Sequence, residues 1–138
     1  MKRVIIESPY AGDIETNIRY ARAALRDSLL RGEAPLASHL LYAQPGVLSD
    51  QTPEERRFGI EAGLAWTPLA DLVAVYVDRG ISKGMQQGID RATLYGISVE
   101  RRSLKGEWVK DCMCGSTGCW LLEDTRNKLA LGFKCRIK

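Results

Sequence analysis

Leu72-Val73-Ala74-Val75-Tyr76-Val77-Asp78-Arg79-Gly80-Ile81-Ser82-Lys83-Gly84-Met85-Gln86-Gln87-Gly88-Ile89-Asp90-Arg91-Ala92 decides the fold. Its first six residues are an unbroken apolar run, the pattern of a strand covered on both faces rather than on one. Asp78 to Ile81 interrupt the run, and Ser82 offers a hydroxyl to cap a helix. Met85, Ile89 and Ala92 then fall on one face of that helix, Gly96 ends it, and Ile97 to Val99 read as a further strand. Strand, loop, helix and strand in that order make a parallel unit with a right-handed crossover.

The same alternation runs upstream. Arg3 to Glu7 is a short, continuous, β-branched strand. From Ile14 the apolar positions move to Ile18, Ala21, Leu25 and Leu29, the spacing of a helix face, with Asp13 placed to cap it and Gly32 to stop it. Ala34 to Ser38 reads as a second strand, and Leu40 to Asp50 as a loop. Thr52-Pro53-Glu54-Glu55 has the signature of a helix start, a hydroxyl cap with proline first and glutamate third. That helix is expected to run to about Trp66, where Pro68 prevents continuation.

Size and charge bound the answer. A chain of 138 residues, 45% hydrophobic, holds one ordinary domain with a genuine core and at most a small extension. The apolar run from Leu72 to Val77 is far short of the roughly 20 residues that span a bilayer, and Met1-Lys2-Arg3-Val4 leads straight into a strand, so a cytoplasmic protein with no membrane partner is expected. The net charge of +3 is unevenly spread: residues 1 to 100 carry 11 Lys and Arg against 13 Asp and Glu, residues 101 to 138 carry 9 against 4. A basic tail suits phosphates or a partner, but without interleaved aromatic residues nucleic acid is not the favoured partner.

All four cysteines lie in that tail. Cys112, Cys114, Cys119 and Cys135 form C-x-C-x4-C-x15-C, and the chain is expected to divide into an α/β domain over residues 1–104 and a small, β-rich, basic extension over 105–138. Four soft ligands suit a closed structural zinc site; free or redox-active thiols and, last, disulfides are the other readings. No organic cofactor is expected.

Ligands of parallel α/β folds bind where strands end and helices begin. Two such loops carry chemistry here. Ser8, Tyr10 and Gly12 follow the first strand: a hydroxyl, an aromatic face for a base or sugar, and a glycine that lets the backbone approach. Asp78, Gly80, Ser82, Gly84 and Met85 follow the third: a carboxylate for sugar hydroxyls, then the hydroxyl and amides of a helix start for phosphate. His39, the single histidine, is a candidate general acid at the end of the second strand, and Arg57 a candidate phosphate fork on the second helix. Caps and turn bonds account for the same residue types without a ligand.

Ser8-Pro9-Tyr10-Ala11-Gly12, the stretch from Leu69 to Ala92 and Tyr95-Gly96-Ile97-Ser98-Val99-Glu100 resemble the nucleoside 2-deoxyribosyltransferase-like superfamily over about residues 3 to 102. The resemblance implies a flavodoxin-like or Rossmann-like three-layer domain with a four- to five-stranded parallel sheet. It implies a nucleoside or nucleotide ligand, N-glycosidic cleavage or transfer through a glutamate nucleophile, and a homo-oligomer. By the same resemblance Tyr10 borders base and sugar, and Asp78 holds base or sugar hydroxyls as part of the catalytic set. The glutamate belongs one turn into the third helix, where this sequence has Gly88; Glu61 is the substitute carboxylate to consider, with Asp78 and His39 as its catalytic partners. Gly88 equally suits a non-catalytic nucleotide sensor or sequestering protein, and the basic cysteine lobe an interaction protein.

Overall fold

The computed structural model describes residues 1–49, 51–106 and 108. Residues Met1–Trp108 form one compact unit. The proposed extension and its four cysteines lie outside the described residues.

Strands β1 (Arg3–Glu7), β2 (Ala34–Leu36), β3 (Leu72–Tyr76) and β4 (Val99–Arg102) form one sheet in the order β2-β1-β3-β4, every pair parallel. Helices α1 (Ile14–Leu30), α2 (Ser38–Tyr42), α3 (Pro53–Leu64) and α4 (Lys83–Leu94) fill the crossovers, with a 3₁₀ turn over Thr67–Leu69. The fold is α/β, as the alternation in sequence requires.

Alternation along the central strands builds two cores. Val4 and Ile6 of β1 and Leu72, Ala74 and Tyr76 of β3 pack with Tyr20 and Ala24 of α1. Ile5, Val73 and Val75 face the other way, toward Met85 and Ala92 of α4. All five residues of β3 are buried, which is why its sequence shows no polar alternation.

Local chemistry sets most of the ends. Asp13 accepts a hydrogen bond from the Thr16 amide (3.2 Å) at the start of α1, and Ser82 accepts one from the Met85 amide (3.3 Å) at the start of α4. Thr52 occupies the N-cap position of α3, but its side chain makes no cap bond; Glu55, expected to complete a capping box, accepts the Ser49 amide instead. The expected Ala34–Ser38 strand stops at Leu36, because Ala37 already begins α2, a five-residue helix too short to show a period in sequence. The last strand lies two residues later than expected. The Ile97 amide still closes α4 on the Ala92 carbonyl (2.8 Å), so pairing with β3 starts at Ser98.

Candidate functional site

The strand order reverses between β1 and β3, since the chain leaves β1 toward β2 on one side and β3 toward β4 on the other. At their C-terminal ends a cavity of about 350 Å³ opens, within the range of small-molecule sites. Five pieces line it: the end of β1 with the β1–α1 loop, α2, the segment between α2 and α3 through Ala43, Leu48 and Ser49, one face of α3 and the first turn of α4.

Glu7 ends β1 and lines this cavity. Its neighbour two residues back, Ile5, packs on the α4 side, so the period of the strand sends the Glu7 side chain to the same side. There it meets Gly88, itself buried in α4. A Cβ added to Gly88 would lie 2.5 Å from Glu7 Cδ and inside contact distance of Oε1, so the carboxyl fills the space of a side chain at position 88. The Glu7 carboxyl has no hydrogen bond or ion pair among the described residues, and burial pushes its pKa up to about 8.

Ser8 and His39 line the same cavity. Ser8 Oγ lies 2.8 Å from His39 Nε2, and the Tyr10 ring stands edge-on to the imidazole at 6.3 Å. Burial lowers the His39 pKa to about 4, so the ring is neutral at pH 7. Tyr10 donates its hydroxyl to the Ala43 carbonyl (2.9 Å), which fixes the loop against the end of α2. From α4 come Ser82, Lys83, Gly84 and Met85, one cation and the amide end of a twelve-residue helix.

Helix α3 contributes through Glu55, Arg56, Gly59, Ile60 and Gly63, spaced three and four apart on one face. Glu61 and Arg57 fall on another face. They are exposed, pair with each other at 3.8 Å and line an adjoining, more open groove with Asp90 and Leu94 of α4. The structure therefore does not bring Glu61 or Arg57 to the Glu7 cavity.

Asp78, Gly12 and Gly80 also stand outside the residues lining it. Asp78 accepts from Tyr20 Oη (2.6 Å), Ser103 Oγ (2.6 Å) and the Leu104 amide (2.9 Å). Burial opposes its ionisation, but these bonds outweigh that effect and hold its pKa below the usual value. Its placement is that of a clamp between α1, the end of β3 and the segment after β4. Gly12 and Gly80 take φ of +93° and +80°, the left-handed turns their loops require.

Of the residues singled out from sequence, Ser8, Tyr10, His39, Ser82, Gly84 and Met85 meet around one cavity. Glu7, Ser38, Arg56, Gly63 and Lys83 were not anticipated there. The signal for Glu7 was present: a carboxylate at the end of an otherwise apolar buried strand, in phase with Ile5. Gly63 was legible only in space, since a Cβ there would lie 2.5 Å from Ser38 Oγ, so the glycine is what lets α3 approach α2.

Residues 2–102 match the family described as a domain of unknown function, DUF7768. The chain belongs to the DUF7768 family. Among solved structures, this DUF7768 chain is similar to the 2-deoxyribosyltransferase from the psychrotolerant bacterium Bacillus psychrosaccharolyticus. The TM-score is 0.55 at 18% identity, over 76% of this chain and 74% of that one. At that identity the likeness speaks for the fold. No curated protein matches the DUF7768 sequence.

Proposed function

We propose that this DUF7768 chain binds a nucleoside, nucleotide or related ribosyl compound in the Glu7 cavity and acts on its N-glycosidic bond, by cleavage or transfer. The observation that carries this is a carboxyl in a ligand-sized cavity at the switch point of the sheet, with no hydrogen-bond or ion-pair partner among the described residues. An anomeric centre develops positive charge as its bond to a base breaks, and a carboxyl at that point stabilises or captures it. Tyr10 and His39 offer ring surfaces beside a base, Ser8 a hydroxyl, and Ser82, Lys83 and Gly84 a helix start for a phosphate. The fold shared with a 2-deoxyribosyltransferase supports the same chemistry.

The test is incubation of the full chain with the natural deoxynucleosides, ribonucleosides and their monophosphates. Thermal shift reports binding and chromatography the free base. Released base is the expected result, and the absence of any binding would remove the proposal. Saturable binding without release would select a second reading, a nucleotide sensor, which the glycine at position 88 favours. We propose further that the active species is a homo-oligomer, which light scattering would report. The four C-terminal cysteines are proposed to hold one structural zinc, expected as one equivalent of metal per purified chain by elemental analysis, against none for free thiols.

A further inference from the structure

We propose that Glu7 is the nucleophile of this chain: its carboxylate bonds to the anomeric carbon, and position 88 is glycine because that carboxyl occupies the space a side chain there would need. The assignment rests on the glycosidic chemistry proposed above, and three features of the cavity support it.

The first is steric. A Cβ on Gly88 would stand 2.5 Å from Glu7 Cδ and 3.1 Å from Oε2, so a side chain at position 88 requires the carboxyl to move from its place. Strand β1 thus delivers the group from below, to the surface where the helix offers only backbone.

The second is the lack of a competitor. Among the described residues two carboxyl groups line the cavity, Glu7 and Glu55. Glu55 is occupied by the Ser49 amide, whereas Glu7 makes no hydrogen bond or ion pair among the described residues. Among the described residues a route through two cooperating carboxylates, one acid and one base, has only the already bonded Glu55 as second member. A covalent route in which the leaving base takes its proton from solvent needs one carboxylate, the nucleophile.

The third is the environment. His39 is neutral and held at Ser8. Among the described residues the cations lining the cavity are Arg56 and Lys83, at the starts of α3 and α4. A desolvated carboxylate without a cation of its own is a stronger nucleophile than a solvated one.

The steps balance with water alone. In the first, the Glu7 carboxyl, which burial keeps protonated up to about pH 8, gives its proton to solvent, and an oxygen of the resulting carboxylate bonds to C1′ as the C1′–N bond breaks; the electron pair leaves with the base, which takes a proton from solvent. In the second, water or the ring nitrogen of another base attacks C1′, the ester C–O bond breaks, and Glu7 returns as carboxylate. The attacking group gives up its proton to solvent.

The test uses the full chain and the four natural 2′-deoxynucleosides, followed by released base, together with 2′-deoxy-2′-fluoroarabinosyl nucleosides, whose fluorine slows breakdown of a glycosyl ester. The expected result is a mass increment of one fluorosugar on the peptide carrying Glu7. Base release should fall roughly 10³-fold or more in Glu7→Gln with binding retained, and at least about tenfold in Gly88→Ala. An adduct on another residue would overturn the assignment, as would base release by Glu7→Gln within about tenfold of wild type. Either leaves the glycosidic function standing, because the wild type still releases base. A wild type that binds but never releases base overturns both. If Glu7→Gln fails to fold, the position of the adduct on the wild-type chain decides alone.

Discussion

At the scale of single residues the cavity is defined by two groups whose protonation states burial has moved in opposite directions. Glu7 is pushed from 4.5 to about 8, so the folded chain keeps a proton that the unfolded chain releases. Its cost to stability therefore grows as pH rises from about 4.5 to about 8 and is absent below that window. Glu7→Gln, which cannot ionise, is expected to be more stable than wild type at pH 9 by a few kcal/mol and equal to it near pH 4, as measured by urea unfolding. His39 is lowered from 6.5 to about 4. Here the unfolded chain binds the proton first, so the stability this ring contributes is full above pH 6.5 and is lost as pH falls toward 4. Replacing His39 with Gln should flatten that acid limb in the same assay, leaving the Glu7 limb unchanged. The other titratable groups lining the cavity, Tyr10, Tyr42, Glu55, Arg56 and Lys83, lie around both.

At the scale of elements, two helices are held where the cavity needs them by different means. Helix α4 begins at Ser82, whose hydroxyl accepts the Met85 amide and whose own amide meets the Met85 sulfur (3.4 Å). Ser82→Ala should destabilise the chain by about 1 kcal/mol, read as a shift in the urea midpoint at constant slope. Helix α3 has no such cap bond and is placed instead by packing of Gly63 on Ser38. Gly63→Ala is expected to cost about 1–3 kcal/mol, by unfolding midpoint, since Ser38 Cβ would stand 2.9 Å from the added methyl. The cap at Ser82 was legible in sequence because capping is a matter of neighbours three residues apart. The packing of α3 was not, since Gly63 and Ser38 meet only after the chain has crossed from α2 to α3.

At the scale of the molecule, one buried ion pair ties the α1–β2 turn to the edge strand β4. Arg102 donates through both terminal nitrogens to the Glu33 carboxylate, at 2.7 and 2.8 Å, with 3% and 12% side-chain exposure. The Arg102 hydrogen bonds hold the Glu33 pKa to about 2 against burial, with Ser28 adding a further donor. Glu33→Ala leaves the buried guanidinium with Glu100 alone, at 3.1 and 3.2 Å, and should destabilise the chain by about 1.5–3 kcal/mol in thermal or urea unfolding, whereas Arg3→Ala, breaking the exposed pair with Asp71, should cost under about 1 kcal/mol. Neither Glu33 nor Arg102 stands out in sequence, and Arg101-Arg102 read there as the onset of a basic tail rather than the end of a strand. Sequence alone determined the alternation of strand and helix, the both-faces burial of β1 and β3, the glycine at position 88 and the loops that carry Ser8, Tyr10 and Ser82. Each follows from periodicity or from neighbours a few residues apart. Only the tertiary structure decided which carboxyls face the cavity. Asp78 is taken up by Tyr20 and Ser103, Glu61 turns to the outer groove, and Glu7 lies against a glycine 81 positions later in the chain. Carboxylates are alike in sequence; their surroundings are made by strands and helices that pack across long separations, and burial among those elements gives one of them a distinct chemistry.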